Sequence, residues 1–380
     1  MKILVTGANG FVGRNLCLTL EQMPDVEVLK YDLGDEAKLD GYAAECDFVM
    51  HLAGVNRPKD PAEFKTGNTL FTEDVLAKLA ARSNPPPVLL SSSIQAALDN
   101  DYGKSKAAAE AAVRAYAEKT GTPVFIYRLV NVFGKWCRPN YNSAVATWVY
   151  NIARDLPIMV RDPAATVTLV YIDDVVRSFI SRVERVDHVE GDNNSTCSTR
   201  LNYLSVEPSY TKTLGEIVDL IKSFHDEPNN LMVPDQADGF TKKLYSTYLA
   251  ALPEDKFSYP LTMHCDNRGS FTEALHSAER GQVSVNVSKP GIAKGQHWHH
   301  TKHEKFLVVS GRGEINFRMA DDPNAKIITY KVSGEKLEVV RIPPGYTHNI
   351  VNVGDTDMVT LMWANEVFDP ANPDTFRMEV

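Results

Sequence analysis

The hydrophobic pattern of this chain changes period once, near Tyr259, and no single fold class accommodates both sides of that change. Before it, short β-branched runs alternate with Ala- and Leu-rich stretches. KILVTG, VEVLKYD, CDFVMHLAG, PPVLLSSS and TPVFIYRLVNVFG read as buried strands, while DVLAKLAARS and KSKAAAEAAVRAYAEKTG carry helical spacing. Buried strands joined by helices give a parallel sheet covered on both faces, so the expected fold is an α/β doubly wound (Rossmann) sheet. After Tyr259 the segments QVSVNVSKPG, EKFLVVSGRGEINFRM, KIITYKVSG, EKLEVVRIPPG and THNIVNVGDTDMVTLMWAN are short, alternating and separated by Gly, Pro and Asp. Strands at that spacing predict an all-β barrel or jelly roll. The expected domains are 1–250 and 251–380. Over about 184–260, EGDNNSTCSTR reads as a surface excursion, TLGEIVDLIKSFHDE as a helix and TKKLYSTYLAALPEDKF as the hinge.

A length of 380 residues admits two or three domains at roughly 100–200 residues each. The net charge of -9, with no run of five basic residues, repels phosphate backbones and anionic lipid, so neither nucleic acid nor membrane is an expected partner. The apolar runs are far shorter than the roughly 20 residues that span a bilayer, and MKILVTG reaches a glycine too soon for a signal peptide. Cys17, Cys46, Cys137, Cys197 and Cys265 are odd in number and show no CxxC spacing. That usage suits a reduced, cytoplasmic compartment better than a disulfide framework.

The first strand runs into TGANGFVG, which places Gly7, Gly10 and Gly13 in GxxGxxG spacing at a helix start, with Asn9, Phe11 and Val12 between them. Backbone N–H groups there can approach a pyrophosphate where the helix dipole favours negative charge. Asp32 ends the second strand, where an acid accepts hydrogen bonds from an adenosine ribose 2′-OH, which favours NAD over NADP. An exposed turn aspartate explains it as well, and Lys30 could still receive a 2′-phosphate. Tyr102 and Lys106 stand four apart on one helical face, where the cation is expected to lower the phenol's pKa toward the range useful for proton transfer. Ser91, Ser92 and Ser93 end the preceding strand at the carboxyl edge, where doubly wound sheets bind ligands.

TGANGFVG, HLAG (51 to 54), LLSSS, YGKSK, YRLVNVFG and VYIDDVV, in that order, resemble the extended short-chain dehydrogenase/reductase family over about residues 1 to 245. The resemblance implies that Tyr102 is the general acid, Lys106 its activator and ribose ligand, and Ser93 the third member. It adds Leu52, Ala53 and Gly54 to the cofactor-binding set. The interval from Ser93 to Tyr102 is short for the family, which leaves Ser92 as a substitute.

In the second half, a His297-x-His299 pair in a strand sends both imidazoles to one face, and Glu304 and His348 from neighbouring strands can complete a site for a borderline divalent ion. Zinc, nickel, iron and manganese all suit three His and one Glu; zinc is expected, because the partner domain's chemistry needs no redox metal. His300 and His303 read as surface groups. The spacings GIAKGQHWHHTKHEKFLVVSG and PPGYTHNIVN resemble the two cupin motifs, over about residues 255 to 380.

Longer stretches, among them HLAGVNRP, FGKWCRPNYNS, RGSFTE, HWHHTKHEKFLVVSG and GYTHNI, resemble nearly end to end the bifunctional capsular-polysaccharide enzymes of the CapF and WbjC type. That resemblance implies a homodimer in UDP-N-acetyl-L-fucosamine synthesis. The cupin domain would epimerise C3 of a UDP-linked 4-keto-6-deoxy amino sugar, UDP-2-acetamido-2,6-dideoxy-β-L-arabino-hexos-4-ulose. The reductase domain would then reduce C4 with NADPH, NADH remaining possible, to give the L-talose product. Within that reading, Arg57, Asn68, Arg128 and Asn131 are candidates for binding the sugar nucleotide or positioning active-site groups, with 184–250 contributing to substrate binding. Arg138 is a further place for concentrated positive charge. RGSFTE (268 to 273), Lys294 and Tyr346 are contenders around the epimerisation centre.

Overall fold

The buried runs of the first half pair edge to edge as expected. In this computed structural model, which describes residues 1–189 and 201–380, six parallel strands form one sheet. They are β1 (Lys2–Thr6), β2 (Glu27–Tyr31), β3 (Phe48–His51), β4 (Val88–Ser93), β5 (Val124–Leu129) and β8 (Leu201–Leu204), in the order β2-β1-β3-β4-β5-β8. A smaller sheet joins β6 (Asn131–Phe133), β7 (Thr166–Tyr171) and β9 (Ser209–Thr213). EGDNNSTCSTR and Cys197 lie outside the described residues.

Leu4, Val49, Val88, Leu90 and Ile126 of the main sheet pack against Leu76, Leu79, Val113 and Tyr116 from covering helices. The helix Asp101–Thr120 in that layer has its start and stop written locally. Asn100 caps it by accepting from the Gly103 N–H at 2.7 Å, and Gly121 ends it in the left-handed conformation, φ 76°. The Ala-rich interior between them favours the helix.

The second half is antiparallel throughout its two main sheets. One contains β10 (Met263–Asp266), β11 (Gly269–Ser277), β12 (Gly281–Ser288), β14 (Glu304–Ser310), β17 (Val339–Ile342) and β19 (Met358–Ala364), in the order β10-β11-β12-β19-β14-β17. The other contains β13 (Ala293–Trp298), β15 (Arg312–Met319), β16 (Ile328–Ser333), β18 (Tyr346–Asn352) and β20 (Phe376–Arg377), in the order β16-β15-β18-β13-β20. Phe306, Val308, Ile315, Phe317 and Ile350 fill the space between sheets. This is the cupin-like jelly roll that the alternation foretold.

The chain divides into two compact units, Met1–Ile221 with Lys243–Leu252, and Lys222–Lys242 with Pro253–Val380. It therefore passes from one to the other after Ile221, Lys242 and Leu252. The stretch read as a hinge contains the helix Gly239–Leu249. Within the first unit, Lys243 from that helix binds buried Asp174 at 2.6 Å and Tyr210 at 2.9 Å. No described helix is long and apolar enough to cross a membrane.

Candidate active sites

In the first unit the glycine loop is a tight turn built for backbone approach. A Cβ on Gly13 would stand 2.1 Å from the Gly7 carbonyl oxygen. Gly10 caps the helix Phe11–Leu20 without a side-chain bond, so the first-turn N–H groups of Phe11, Val12 and Gly13 face outward from the loop end. Asp32 braces this loop: one carboxylate oxygen accepts from the Asn9 N–H at 2.7 Å, the other from the Leu33 N–H at 2.8 Å. Lys30 is ion-paired with Glu21, so among the described residues its cation is already engaged.

At the carboxyl edge of β4, Lys106 is buried and donates to the Ser91 carbonyl oxygen at 3.1 Å. Burial pulls its pKa down to about 8, against a raising influence from Glu110. The Tyr102 phenol does not move as the sequence suggested. Burial pushes its pKa up, and the Ser93 hydroxyl draws it partly back. Lys106 lies 6.0 Å from the Tyr102 ring centroid, a reach at which desolvation of the phenol outweighs the cation. Ser92 is turned the other way and donates to buried Glu110 at 2.6 Å. Of the two serines, Ser93 is therefore the one whose hydroxyl acts on the Tyr102 phenol.

The HLAG loop is held from below. Thr72 donates to the Asn68 carbonyl at 2.6 Å, so it accepts from His51 Nε2 at 2.8 Å. His51 Nδ1 then accepts from Thr6 at 2.8 Å, and Thr6 accepts the Ala53 N–H at 3.3 Å. The imidazole is neutral: burial and the Lys106 charge push its pKa down to about 3.

Asn68 has its amide fully engaged, accepting from Val55 N–H at 2.7 Å and donating to Val55 O at 3.1 Å and Ser105 Oγ at 2.9 Å. Arg128 grips Glu110 with two bonds, at 3.0 and 2.7 Å. Arg57 donates to Asn142 at 3.2 Å, tying it to the KWCRPNYN segment, and Arg138 stacks on Tyr141. Asn131 is exposed and donates to the Thr168 carbonyl at 3.2 Å. Asn68 is thus an internal brace and the half-exposed Arg128 a clamp on Glu110, whereas Arg57 and Asn131 sit on the surface of the unit.

In the second unit a β-bulge at Gln296, φ 64°, shifts the register of β13 so that His297 stands directly opposite His348 of β18. His297, His299, Glu304 and His348 bring one ligand atom each to within 4.8 Å of one another. The Glu304 carboxylate lies 3.4 Å from His348 Nε2 and 3.6 Å from His299 Nε2. Burial resists its charge, but those two imidazoles hold it well below the usual carboxylate range.

His299 Nε2, Glu304 Oε2 and both ring nitrogens of His348 are buried with no hydrogen-bond partner among the described residues. Lone pairs left so cost roughly 1–3 kcal/mol each, and three imidazoles with one carboxylate form a donor set that could offset that cost by holding a borderline divalent ion. His300 and His303 stand outside the cluster, edge-on to Trp298 and Trp363.

The cluster opens into a cavity of about 680 Å³ lined by Arg268, Ser270, Lys294, His297, Lys302 and Glu304, among others. Lys294 donates to Asn286 and the Val287 carbonyl at 2.8 Å each and to the Ser270 carbonyl at 3.2 Å. Tyr346 packs instead against the apolar core. Sequence reasoning missed Lys302, buried beside Glu304 at 3.7 Å, and Asp374, discussed below. Lys302 offered one signal, its place inside the first histidine motif. Asp374 offered none.

Two family descriptions divide the chain as its fold does. The NAD dependent epimerase/dehydratase family matches residues 3–194, and the polysaccharide biosynthesis C-terminal domain matches residues 264–376. The chain belongs to the NAD dependent epimerase/dehydratase family.

A relative from Pseudomonas aeruginosa, UDP-2-acetamido-2,6-beta-L-arabino-hexul-4-ose reductase, is 46% identical over 386 residues, covering 100% of this chain and 99% of its own. The crystal structure of the capsular polysaccharide assembling protein CapF from Staphylococcus aureus matches over 100% of both chains, with 49% identity and a TM-score of 0.89. The spore coat polysaccharide biosynthesis protein SpsL of Bacillus subtilis is 25% identical over 126 residues, 31% of this chain and 83% of its own. As a member of the epimerase/dehydratase family, the chain joins a dinucleotide-type unit to a polysaccharide-biosynthesis unit, and its full-length likeness is to CapF.

Proposed function

We propose that this chain is a nucleotide-sugar reductase of capsule-type polysaccharide synthesis with a second, epimerising site in its cupin unit. The substrate is UDP-2-acetamido-2,6-dideoxy-β-L-arabino-hexos-4-ulose. The cupin unit inverts C3, and the first unit reduces C4 to give UDP-2-acetamido-2,6-dideoxy-β-L-talose. The observation that carries the reductive half is the Tyr102, Ser93 and Lys106 grouping at the carboxyl edge of β4, in a chain 46% identical end to end to a reductase of that keto sugar.

A bound dihydronicotinamide supplies the hydride that goes to C4. Ser93 orients the ketone oxygen and Tyr102, kept protonated by burial, delivers the proton to it as the C–O π pair becomes a C–O–H bond. The Lys106 ammonium offers a fixed positive charge beside the developing alkoxide and a donor to the nicotinamide ribose. The first-turn N–H groups of Phe11, Val12 and Gly13 would hold the cofactor's pyrophosphate. NADPH is the proposed donor by likeness to the family type, although Asp32 suits an unphosphorylated ribose, and side-by-side titration with NADH and NADPH decides between them.

In the cupin unit, His297, His299, Glu304 and His348 would hold zinc, which would polarise the C4 carbonyl and render the C3 proton acidic. Arg268, Lys294 and Lys302 supply the cavity with positive charge for an anionic sugar nucleotide. The working form is a cytoplasmic homodimer.

The test is exchange at C3. The keto-sugar nucleotide is incubated with enzyme in D2O, with and without NADPH, and followed by NMR. Deuterium uptake without cofactor that survives Tyr102→Phe and is lost in His348→Ala supports two sites. Reduction with no exchange at all would leave the cupin unit a structural module, and the epimerase assignment would fall.

A further inference from the structure

Three serines close β4, and the facing helix Asp101–Thr120 meets each of them with one residue per turn. The Tyr102 phenol is influenced by the Ser93 hydroxyl, Lys106 donates to the carbonyl of Ser91 at 3.1 Å, and Glu110 accepts from the hydroxyl of Ser92 at 2.6 Å. The proposed reduction uses the first two contacts and leaves the third without a role.

Glu110 is only 1% exposed, yet its carboxylate is surrounded by donors: Ser92 at 2.6 Å, Arg128 Nε at 3.0 Å, Arg128 Nη2 at 2.7 Å and Tyr203 at 3.4 Å. Burial disfavours its charge, but Arg128 and Ser92 more than compensate and hold the carboxyl below its ordinary value. A buried, ionised carboxylate thus stands one helical turn beyond a buried ammonium.

We propose that Glu110, locked in place by Arg128, is a positioning residue for the reductive step, its fixed negative charge keeping the Lys106 ammonium protonated in the working site. This rests on the reading of Tyr102 and Lys106 as the proton-transfer pair. The groups that face Lys106 support it. On its own helix they are the neutral Tyr102 phenol and Glu110. From β3 comes His51, neutral and pushed down to about 3. From β4 comes the uncharged Ser91 carbonyl, and a Cβ on Gly54 would meet Lys106 Nζ and the Asn68 amide oxygen at 3.0 Å each. Arg128, from β5, is a cation turned onto Glu110. Glu110 is therefore the anion that opposes the desolvation of Lys106 among the groups that meet it.

The charge of Lys106 can be read without catalysis, by acylating the full chain with an amine-reactive ester across pH 6 to 11 and following modification of Lys106 by mass spectrometry. Glu110→Gln leaves Arg128 unopposed, and the midpoint of Lys106 labelling is expected to fall by about one pH unit, the low end of what a neighbouring opposite charge exerts. The alkaline limb of NADPH oxidation should fall by the same amount. Glu110→Gln/Arg128→Met removes both charges, spares the fold an unpaired guanidinium, and should shift the midpoint down by about half as much.

A purely structural role would lower activity without moving either midpoint, and an unmoved Lys106 midpoint in the double variant overturns the proposal even where the single variant does not fold. Tyr102→Phe keeps the two readings apart. If it retains turnover, another group is the acid and the reading of Tyr102 fails, while the labelling still reports the Glu110 effect.

Discussion

The main-chain oxygen of Asp374 lies in hydrogen-bond contact with Nδ1 of His299, fixing that imidazole so that Nε2 points into the cluster as a bare lone pair. The Asp374 carboxylate works on the same turn from its other side. It accepts from the N–H groups of His300, Thr301 and Lys302 at 2.8, 2.7 and 2.8 Å, and with these donors its pKa lies well below the usual carboxylate range despite some desolvation. One residue near the end of the chain thus sets both the tautomer of a ligand and the backbone that carries it. Groups behind a metal-binding histidine are typically worth 10–100-fold in affinity. Asp374→Ala keeps that main-chain oxygen but removes the carboxylate that fixes the turn, so it should weaken zinc binding by up to about tenfold in competition with a chromogenic chelator, and His348→Ala should abolish it; undiminished affinity in Asp374→Ala would assign the carboxylate to packing alone.

Lys106 gives the reductive step a pH dependence of defined sign. Its folded pKa is about 8 against 10.5 in the open chain, so the ammonium is present below pH 8 and lost above it, while the Tyr102 phenol, raised by burial, stays protonated. Turnover of NADPH should hold from pH 6 to 7 and fall as pH rises through about 8. Stability should run the other way. Between pH 8 and 10.5 the unfolded chain binds the proton that the folded chain has released, so the Lys106 contribution to stability rises with pH, by about 3 kcal/mol at most. The comparison that isolates it is urea unfolding of the parent and Lys106→Met across that window; parallel curves would mean that Lys106 is not depressed.

His51 is the hub of the chain Ala53, Thr6, His51, Thr72 and Asn68, in which every donor has one acceptor. His51→Phe fills the same space but leaves the buried Thr6 hydroxyl without its acceptor and the Thr72 oxygen without its donor, so a loss of about 1–3 kcal/mol in urea unfolding is expected. The dinucleotide should bind more weakly as the 52–54 loop loosens, which fluorescence titration with NADPH reads directly.

Both sheets, the glycine loop and the metal-type cluster were legible because each is a local pattern: β-branched runs, GxxGxxG after a strand, His-x-His in a strand. What the sequence hid depends on residues that meet only after folding. Asn68 and Arg128, read as candidates for the sugar nucleotide, also meet Val55, Ser105 and Glu110, contacts that no sequence spacing shows. The Tyr102 pKa moved opposite to the expected direction because helical spacing shows the neighbouring cation and not the burial of the phenol. Asp374 meets His299 across 75 residues, and the second unit recruits Lys222–Lys242 from before its own main segment; no spacing rule reports either.

The last consequence concerns Gly54, which keeps open the space around the Lys106 ammonium. A methyl group there would stand 3.0 Å from both Lys106 Nζ and the Asn68 side-chain oxygen, closer than ordinary van der Waals contact. The Asn68 amide cannot yield cheaply, because three hydrogen bonds hold it. Lys106 is the flexible partner, so the methyl group should push its ammonium away from the Ser91 carbonyl. Gly54→Ala should then cost about 1–3 kcal/mol of stability, as overpacking does, and lower kcat for NADPH oxidation at least tenfold. C3 exchange, proposed for the other unit, should stay at the parent rate. Equal loss of both activities would show that the substitution unfolds the chain, and unchanged reduction would mean that Lys106 has room the structure does not give it.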